Sequence, residues 1–473
     1  MAMTKSIRRA ILSLALILTS TVCMANPVAI IPVPNKMTVN SGSLRLCKTS
    51  TIGIDDEALR PAANYLAEAI EKEYAMRLSV VSGDATINLR IASTDSAYHI
   101  TTDKHKATLC ASDYGGIINA IATLRQLMTK EGNKIAVACV DIIDKPRFGW
   151  RGLMIDCSRH FYTTDELKHL LDVMAFYKFN RFHWHLTDDQ GWRVEIKRYP
   201  LLTSRGAWRK LNRQDSTCIR RANEEDMPNL RLQESKLRNA ADGTMEYGGF
   251  YTQDDVRDVV AYAKQRGIDV VPEIDMPGHS LAAIESYSGL SCFAQNGWGK
   301  LFTTPMCPGK DSMLEFCRNV WEEMFQLFPF EYVHIGGDEV DMKNWKACPD
   351  CQKRMKANGL STEPQLQTWF NHTMEAFFRE HGKKMIAWDD VVDGGLSPYT
   401  TVMWWRSWLP DGPKKTTDHG NDLIDVPVSY FYLSQEYKPT LLPGIYSFNP
   451  YDGIKEDKHN LMRGIHSCLW GES

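Results

Sequence analysis

A chain of 473 residues is long enough for two or three domains, and 43% apolar residues suffice for ordinary cores. Its formal net charge of −3 supplies no attraction for nucleic acid or anionic lipid, so neither is expected as a partner. The 13 Trp and 18 Tyr offer flat faces that serve core packing first and ligand stacking second.

Residues 1–25 read as an export signal. Lys5, Arg8 and Arg9 precede the apolar run AILSLALILTSTV, and CMA ahead of Asn26 supplies small residues for cleavage. That run is short for a membrane span, and no later stretch is long enough to cross a bilayer. A mature chain from Asn26, in a bacterial periplasm or outside the cell, is therefore expected; the bulk of Val22 argues against the alternative, a lipoprotein anchored at Cys23. Of the 12 cysteines, cleavage removes Cys23 and leaves an odd number, so one stays unpaired within a chain. CPDC, Cys348 to Cys351, has no second close pair, which argues against a zinc ribbon and for a local disulfide or two free thiols.

Residues 26–145 alternate short apolar runs such as INLRIAS and KIAVACVDI with two helical patterns, PAANYLAEAIEKEYAM and GIINAIATLRQLM, and predict a small α+β domain. DKPRFGW marks the hinge into a second domain, 146–473. From there strands and helices alternate. RGLMIDCS leads to the helix TTDELKHLLDVMAFYKF, opened by a threonine cap. RFHWHLTDD, IDVVPEIDM, YVHIGGDEV, KMIAWDDVV, TTVMWWRS, VSYFYLS and GIHSCLWGE bring the strands to eight, with helices such as TQDDVRDVVAYAKQRG and PQLQTWFNHTMEAFFREHG between. Eight such units predict a (β/α)8 TIM barrel, with the active site at the C-terminal strand ends. The chain stops at Ser473, directly after the eighth strand, so the closing helix is expected to be missing and the sequence to be part of a longer protein.

Polar residues gather where these strands end: Arg159 and His160, Asp188 and Asp189, Asp275 and His279, Asp338 and Glu339, Asp389 and Asp390, and Glu472. Strand ends are commonly polar because loops begin there, but six strands agreeing suggests one site. Trp388, Trp404, Trp405, Tyr432 and Trp470 end the same strands, and flat faces beside carboxylates suit a sugar ring. Gly336 and Gly337 let the backbone turn before Asp338 and Glu339, whose side chains diverge and can serve two parts of one ligand. An ionised Asp338 keeps the proton on its neighbour Glu339, as a general acid needs. Two carboxylates acting from opposite sides of a glycosidic bond stand at least roughly 5 Å apart, which adjacent residues fit poorly. They suit better a reaction whose nucleophile comes from the substrate, one carboxyl protonating the leaving oxygen and the other steering an amide.

HIGGDEV, CSRHF, FHWHLTDDQGWR, PEIDMPGH and LWGE, in their order along the chain, resemble family 20 glycoside hydrolases, the β-N-acetylhexosaminidases, over about residues 26–473. The resemblance implies an enzyme without cofactor or metal that removes terminal N-acetylhexosamine from glycans with retention. It makes Glu339 the acid/base and Asp338 the residue that orients the 2-acetamido group, whose oxygen attacks the anomeric carbon to give an oxazolinium intermediate. It also implies that Arg159 and Glu472 grip sugar hydroxyls and that Tyr432 bonds the acetamido oxygen. Trp369, Trp388 and Trp470 would wall the pocket, and Asp188 and His279 support the acid. Two positions depart from the family pattern: Ser434 stands where an Asp or Asn is expected, and Tyr446 where some members carry a stacking tryptophan. Two rival readings are a metal-dependent barrel hydrolase using His183 and His185, and a sugar-binding relative without turnover.

Overall fold

The computed structural model describes residues 28–471 except 94–95, 295–296 and 298–301, and 435–437. The export signal, Cys23 and Glu472 lie outside the described residues. The chain divides between Lys145 and Pro146 into two units.

In the first unit an eight-stranded mixed sheet is built around Lys134–Asp144, which pairs antiparallel with both Lys36–Leu46 and Tyr98–Thr102. The two predicted helices form, as Arg60–Tyr74 and Tyr114–Gln126. Asp113 caps the second by accepting from the Gly116 amide, and every residue from Gly116 to Leu124 is buried. That continuous burial explains the helix's nearly unbroken run of small and apolar residues.

The second unit is a closed parallel barrel of eight strands. In chain order they are β1 (Trp150–Asp156), β2 (Arg181–His185), β3 (Asp269–Glu273), β4 (Tyr332–His334), β5 (Lys384–Trp388), β6 (Thr401–Trp404), β7 (Leu423–Asp425) and β8 (Met462–Leu469). β8 returns to pair with β1, from Gly464 opposite Trp150 to Leu469 opposite Ile155. Helices start where the sequence places caps: Thr163 with Glu166, Thr252 with Asp255 and Thr362 with Gln365 each complete a reciprocal capping box.

One element differs from expectation. The predicted seventh strand, VSYFYLS, is a short helix, Val428–Phe431, followed by an irregular segment. The strand itself is the shorter, fully buried Leu423–Asp425 just before it. Aromatic and β-branched residues gave the later stretch a strand's composition, but it is the three-residue segment that pairs with both β6 and β8.

Period-two alternation sorts the side chains of β2. Trp184 packs outward against Phe328 and Tyr251, while His183 and His185 point into the barrel. The interior is therefore partly polar. Glu273 of β3 is its hub, with His183 Nε2 at 2.9 Å, His185 Nδ1 at 2.5 Å, His334 Nδ1 at 3.1 Å and Trp388 Nε1 donating at 2.9 Å. Around it pack Met154, Val271, Ile386, Met403 and Ile424.

Candidate active site

Beyond β4 the backbone turns through Gly336 and Gly337, at φ +75° and +89°, and Glu339 follows at φ +50°. A Cβ on Gly336 would lie 2.0 Å from Oδ1 of Asp275, so only glycine fits. A left-handed non-glycine residue persists only where its surroundings hold it. Here the Glu339 amide donates to Asp390 Oδ1 at 3.3 Å, the Gly337 amide to Asp275 Oδ1 at 3.2 Å, and Gln367 Nε2 to the Gly337 carbonyl at 2.6 Å. Contacts from the ends of β3 and β5 and from the helix Glu363–Glu380 thus fix where the two carboxyls point.

His279, itself at φ +44°, faces both. Its Nε2 lies 3.3 Å from Glu339 Oε2 and 3.7 Å from Asp338 Oδ2, and its Nδ1 lies 3.2 Å from Asp189 Oδ2 and 3.3 Å from Asp188 Oδ1. Asp188 also meets Arg159 Nη1 at 2.7 Å and His185 Nε2 at 3.0 Å. A continuous chain of contacts therefore runs from the barrel hub Glu273 through His185 and Asp188 to His279 and the paired carboxyls.

Burial opposes charge on His279, but Asp188, Asp189 and Glu339 hold the imidazolium and raise it well above its usual range. Burial likewise opposes charge on Asp188, yet Arg159 and His279 keep that carboxyl well below its ordinary value. Burial pushes Asp338 up to about 7; His279 works against the rise, and the nearby carboxylates of Asp390 and Glu339 add to it. Asp338 is the more buried of the two.

The carboxyls open into a cavity of ≈ 360 Å³. Trp388, Trp405, Tyr432 and Trp470 form its aromatic wall, with Tyr432 parallel to Trp405 at 6.3 Å and 6.0 Å from Trp470. Arg159, His279, Asp338 and Glu339 form the polar side. Asp338 Oδ1 and Trp470 Nε1 are buried and have no hydrogen-bond partner among the described residues. A second cavity of ≈ 230 Å³, bordered by Val340, Met342, Thr368 and Asp393, shares Glu339 with the first.

Of the sequence-predicted site residues, the structure brings together Arg159, His279, Asp338, Glu339, Trp388, Tyr432 and Trp470, with Asp188 one contact behind. Trp369 does not line either cavity; it sits on the helix Glu363–Glu380, packed against the buried cluster of Trp345, Met355, Leu366 and four cysteines and under the Arg354 guanidinium. Trp405 takes that part of the wall, and its indole N–H donates to Asp390 Oδ2 at 2.8 Å. Asp390 was legible only as a strand-end carboxylate; its two oxygens link the acid's backbone to the wall. Ser434 does line the cavity, whereas Tyr446 is 86% exposed and lies outside it.

His183, Glu273 and His334 could hold a metal by residue type. Here Glu273 accepts from the His185 ring and the Trp388 indole, while both ring nitrogens of His183 are without a hydrogen-bond partner among the described residues. Cys348 and Cys351 are free thiols, and they do have a second pair nearby, Cys292 and Cys307. The sequence reading missed it because Cys307 lies 41 residues before Cys348 and Cys292 lies 59 before Cys351.

The family model for the catalytic domain of glycosyl hydrolase family 20 matches residues 148–473, and that for domain 2 of the same family matches residues 28–145. The chain belongs to glycosyl hydrolase family 20. A β-hexosaminidase of Porphyromonas gingivalis is 36% identical over 94% of this chain, which spans 57% of that protein's length. One from Vibrio furnissii is 34% identical over 95% of this chain and 73% of its own. Among solved structures, the family 20 exo-β-N-acetylglucosaminidase of Vibrio harveyi in complex with N-acetylglucosamine superposes with a TM-score of 0.82. It is 31% identical and the match covers 94% of this chain and 69% of that one. The barrel and its N-terminal α+β unit are thus the family 20 architecture.

Proposed function

We propose that this family 20 protein is a retaining exo-β-N-acetylhexosaminidase that removes terminal β-linked N-acetylglucosamine or N-acetylgalactosamine by substrate-assisted catalysis. One observation carries the mechanism. Asp338 and Glu339 share a single imidazole nitrogen of His279, so they sit on one side of the cavity and do not bracket a sugar ring as two enzyme carboxylates would. The nucleophile then comes from the substrate.

Glu339 protonates the leaving oxygen as the acetamido oxygen bonds the anomeric carbon and the glycosidic bond breaks. The unpartnered Oδ1 of Asp338 accepts the acetamido N–H, aligning the attack and stabilising charge on the oxazolinium ring. Tyr432 donates to the acetamido oxygen. Glu339, now a carboxylate, takes a proton from water as that water opens the ring on the same face. Trp388, Trp405 and Trp470 supply flat contact to the sugar, and Arg159 and Glu472 its hydroxyl contacts. His279, clamped by Asp188 and Asp189, is a positioning residue for both carboxyls.

The substrates expected are glycans ending in N-acetylhexosamine. Among the described residues no helix is long and apolar enough to cross a membrane. The charged and apolar pattern of residues 1–25 supports export, with a mature terminus at Asn26 that N-terminal sequencing of the secreted protein would check; a lipidated Cys23 would replace that reading.

The mechanism is tested with a panel of aryl N-acetylhexosaminides, proton NMR of the first-formed anomer, and a thiazoline made from N-acetylglucosamine. Hydrolysis with β product and strong inhibition by the thiazoline are expected, since it resembles the cyclic intermediate. Binding without hydrolysis would make the protein a sugar-binding relative. A covalent sugar trapped on Asp338 by a 2-fluoro substrate would mean an enzyme nucleophile.

A further inference from the structure

Four cysteine sulfurs meet outside the catalytic cavity. Cys292 comes from the segment after the helix Leu281–Ser286, Cys307 from the approach to the helix Asp311–Leu327, and Cys348 and Cys351 from the start of the helix Pro349–Ala357. All four sulfurs lie within 4.8 Å of one another, and all four residues are buried. The separations are 3.5 Å between Cys307 and Cys351, 3.7 Å between Cys307 and Cys348, and 3.8 Å between Cys292 and Cys351. A regular tetrahedron of thiolates with Zn–S bonds of about 2.3 Å has edges of about 3.8 Å. Disulfide sulfurs, by contrast, stand about 2.05 Å apart.

We infer that Cys292, Cys307, Cys348 and Cys351 form a structural zinc site that clips together three loops on the C-terminal side of the barrel. The surroundings are built for thiolates. Cys348 is the N-cap of the helix that carries Cys351, where aligned amide dipoles favour negative charge. The loops need glycine to come this close: a Cβ on Gly309 would lie 2.3 Å from the Cys351 nitrogen. Two cations stand beside the ligands through backbone carbonyls, Lys310 Nζ on Ser291 at 2.6 Å and Arg354 Nη2 on Gly309 at 3.3 Å. Trp345, Met355 and Leu366 close an apolar shell around the sulfurs. Four thiolates in a tetrahedron select zinc or iron among common metals, and a closed set with no open position is that of a structural rather than a catalytic zinc.

The clip reaches the active site through the backbone. The Met306 amide donates to the Pro277 carbonyl at 2.8 Å, two residues before His279. Thr303 Oγ1 donates to Asp189 at 2.5 Å, and the Phe302 ring meets His279 at 6.2 Å. Zinc on Cys307 thus holds the segment that carries these contacts.

The test is metal analysis of the full chain purified without a metal-affinity step. We expect about one zinc per chain and an X-ray absorption shell of four sulfurs at about 2.3 Å. A strong chelator should lower the melting temperature by several degrees, and added zinc should restore it. The Cys307→Ser, Cys351→Ser double variant should lose the zinc, and Cys218→Ser, at a position away from the site, should keep it. If the double variant fails to fold, the absorption spectrum of the unmodified protein decides alone. Two disulfides among the four in non-reducing peptide maps, four free thiols that take up no zinc, or iron in its place would each overturn the assignment.

Discussion

Nε2 of His279 lies 3.3 Å from Oε2 of Glu339, and the same ring lowers the carboxyl of Asp338 while Asp390 raises it. Two substitutions should therefore move the acid limb of kcat/KM in opposite directions, because that profile reports groups of the free enzyme. His279→Gln removes the cation and should shift the limb to higher pH. Asp390→Asn removes a neighbouring negative charge and should shift it to lower pH. Equal shifts in the same direction would take Asp338 out of the titration.

Glu339→Gln should lower the rate by roughly 10²- to 10⁴-fold on substrates with poor leaving groups, and far less on activated aryl ones, since general acid help matters only where the leaving oxygen needs a proton. The ratio of the two losses is the measurement. A ratio near one removes Glu339 from the acid role.

Asp338→Asn links the site to stability. The folded-state carboxyl sits at about 7, above the ordinary aspartate value near 3.8, so the native protein holds this proton more tightly than the unfolded chain does. Its contribution is full below about pH 4 and is lost as pH rises through about 7. The variant should gain on the unmodified protein by a few degrees of melting temperature between pH 4 and pH 8, while losing activity. A melting-temperature difference that does not change with pH would mean the carboxyl is not raised.

Glu273→Gln strikes the barrel hub. His185 is raised well above its usual range and Glu273 held well below its own, so the pair is charged and fully buried. Removing one buried partner costs about 3–5 kcal/mol. The barrel's thermal transition should fall by several degrees, with activity at low temperature reduced through Asp188.

Trp405→Ala should lower kcat/KM by about tenfold or more, equivalent to about 1.4 kcal/mol of sugar contact. Trp369→Ala should spare kcat/KM and lower the melting temperature, since that ring packs on the cysteine group. The reverse pattern would return Trp369 to the pocket wall.

The contrast between these two tryptophans shows what the sequence could reveal. The barrel was legible because eight short apolar runs alternate with capped helical patterns, and the glycine-aspartate-glutamate turn was legible because glycine and charge mark a strand's end. β7 was hidden by its length: three residues, Leu423–Asp425, cannot display a period. Trp369 lies within a helical pattern, and only its rotation about that helix decides whether it faces sugar or sulfur. Residue spacing likewise could not show that Cys292 and Cys307 join Cys348 and Cys351, because long loops carry no register.

The hub at Glu273 also constrains how this protein can change over generations. A carboxylate that gathers three imidazoles and an indole makes each single step costly. If Glu273 mutates first, the His185 ring and the Trp388 indole lose their acceptor, and if His185 mutates first, the carboxylate loses its hydrogen-bonded imidazole. His183, His185, Glu273 and His334 should accordingly be inherited as a block. A library that varies them one at a time should return few folded clones, and one that exchanges the set together should return more.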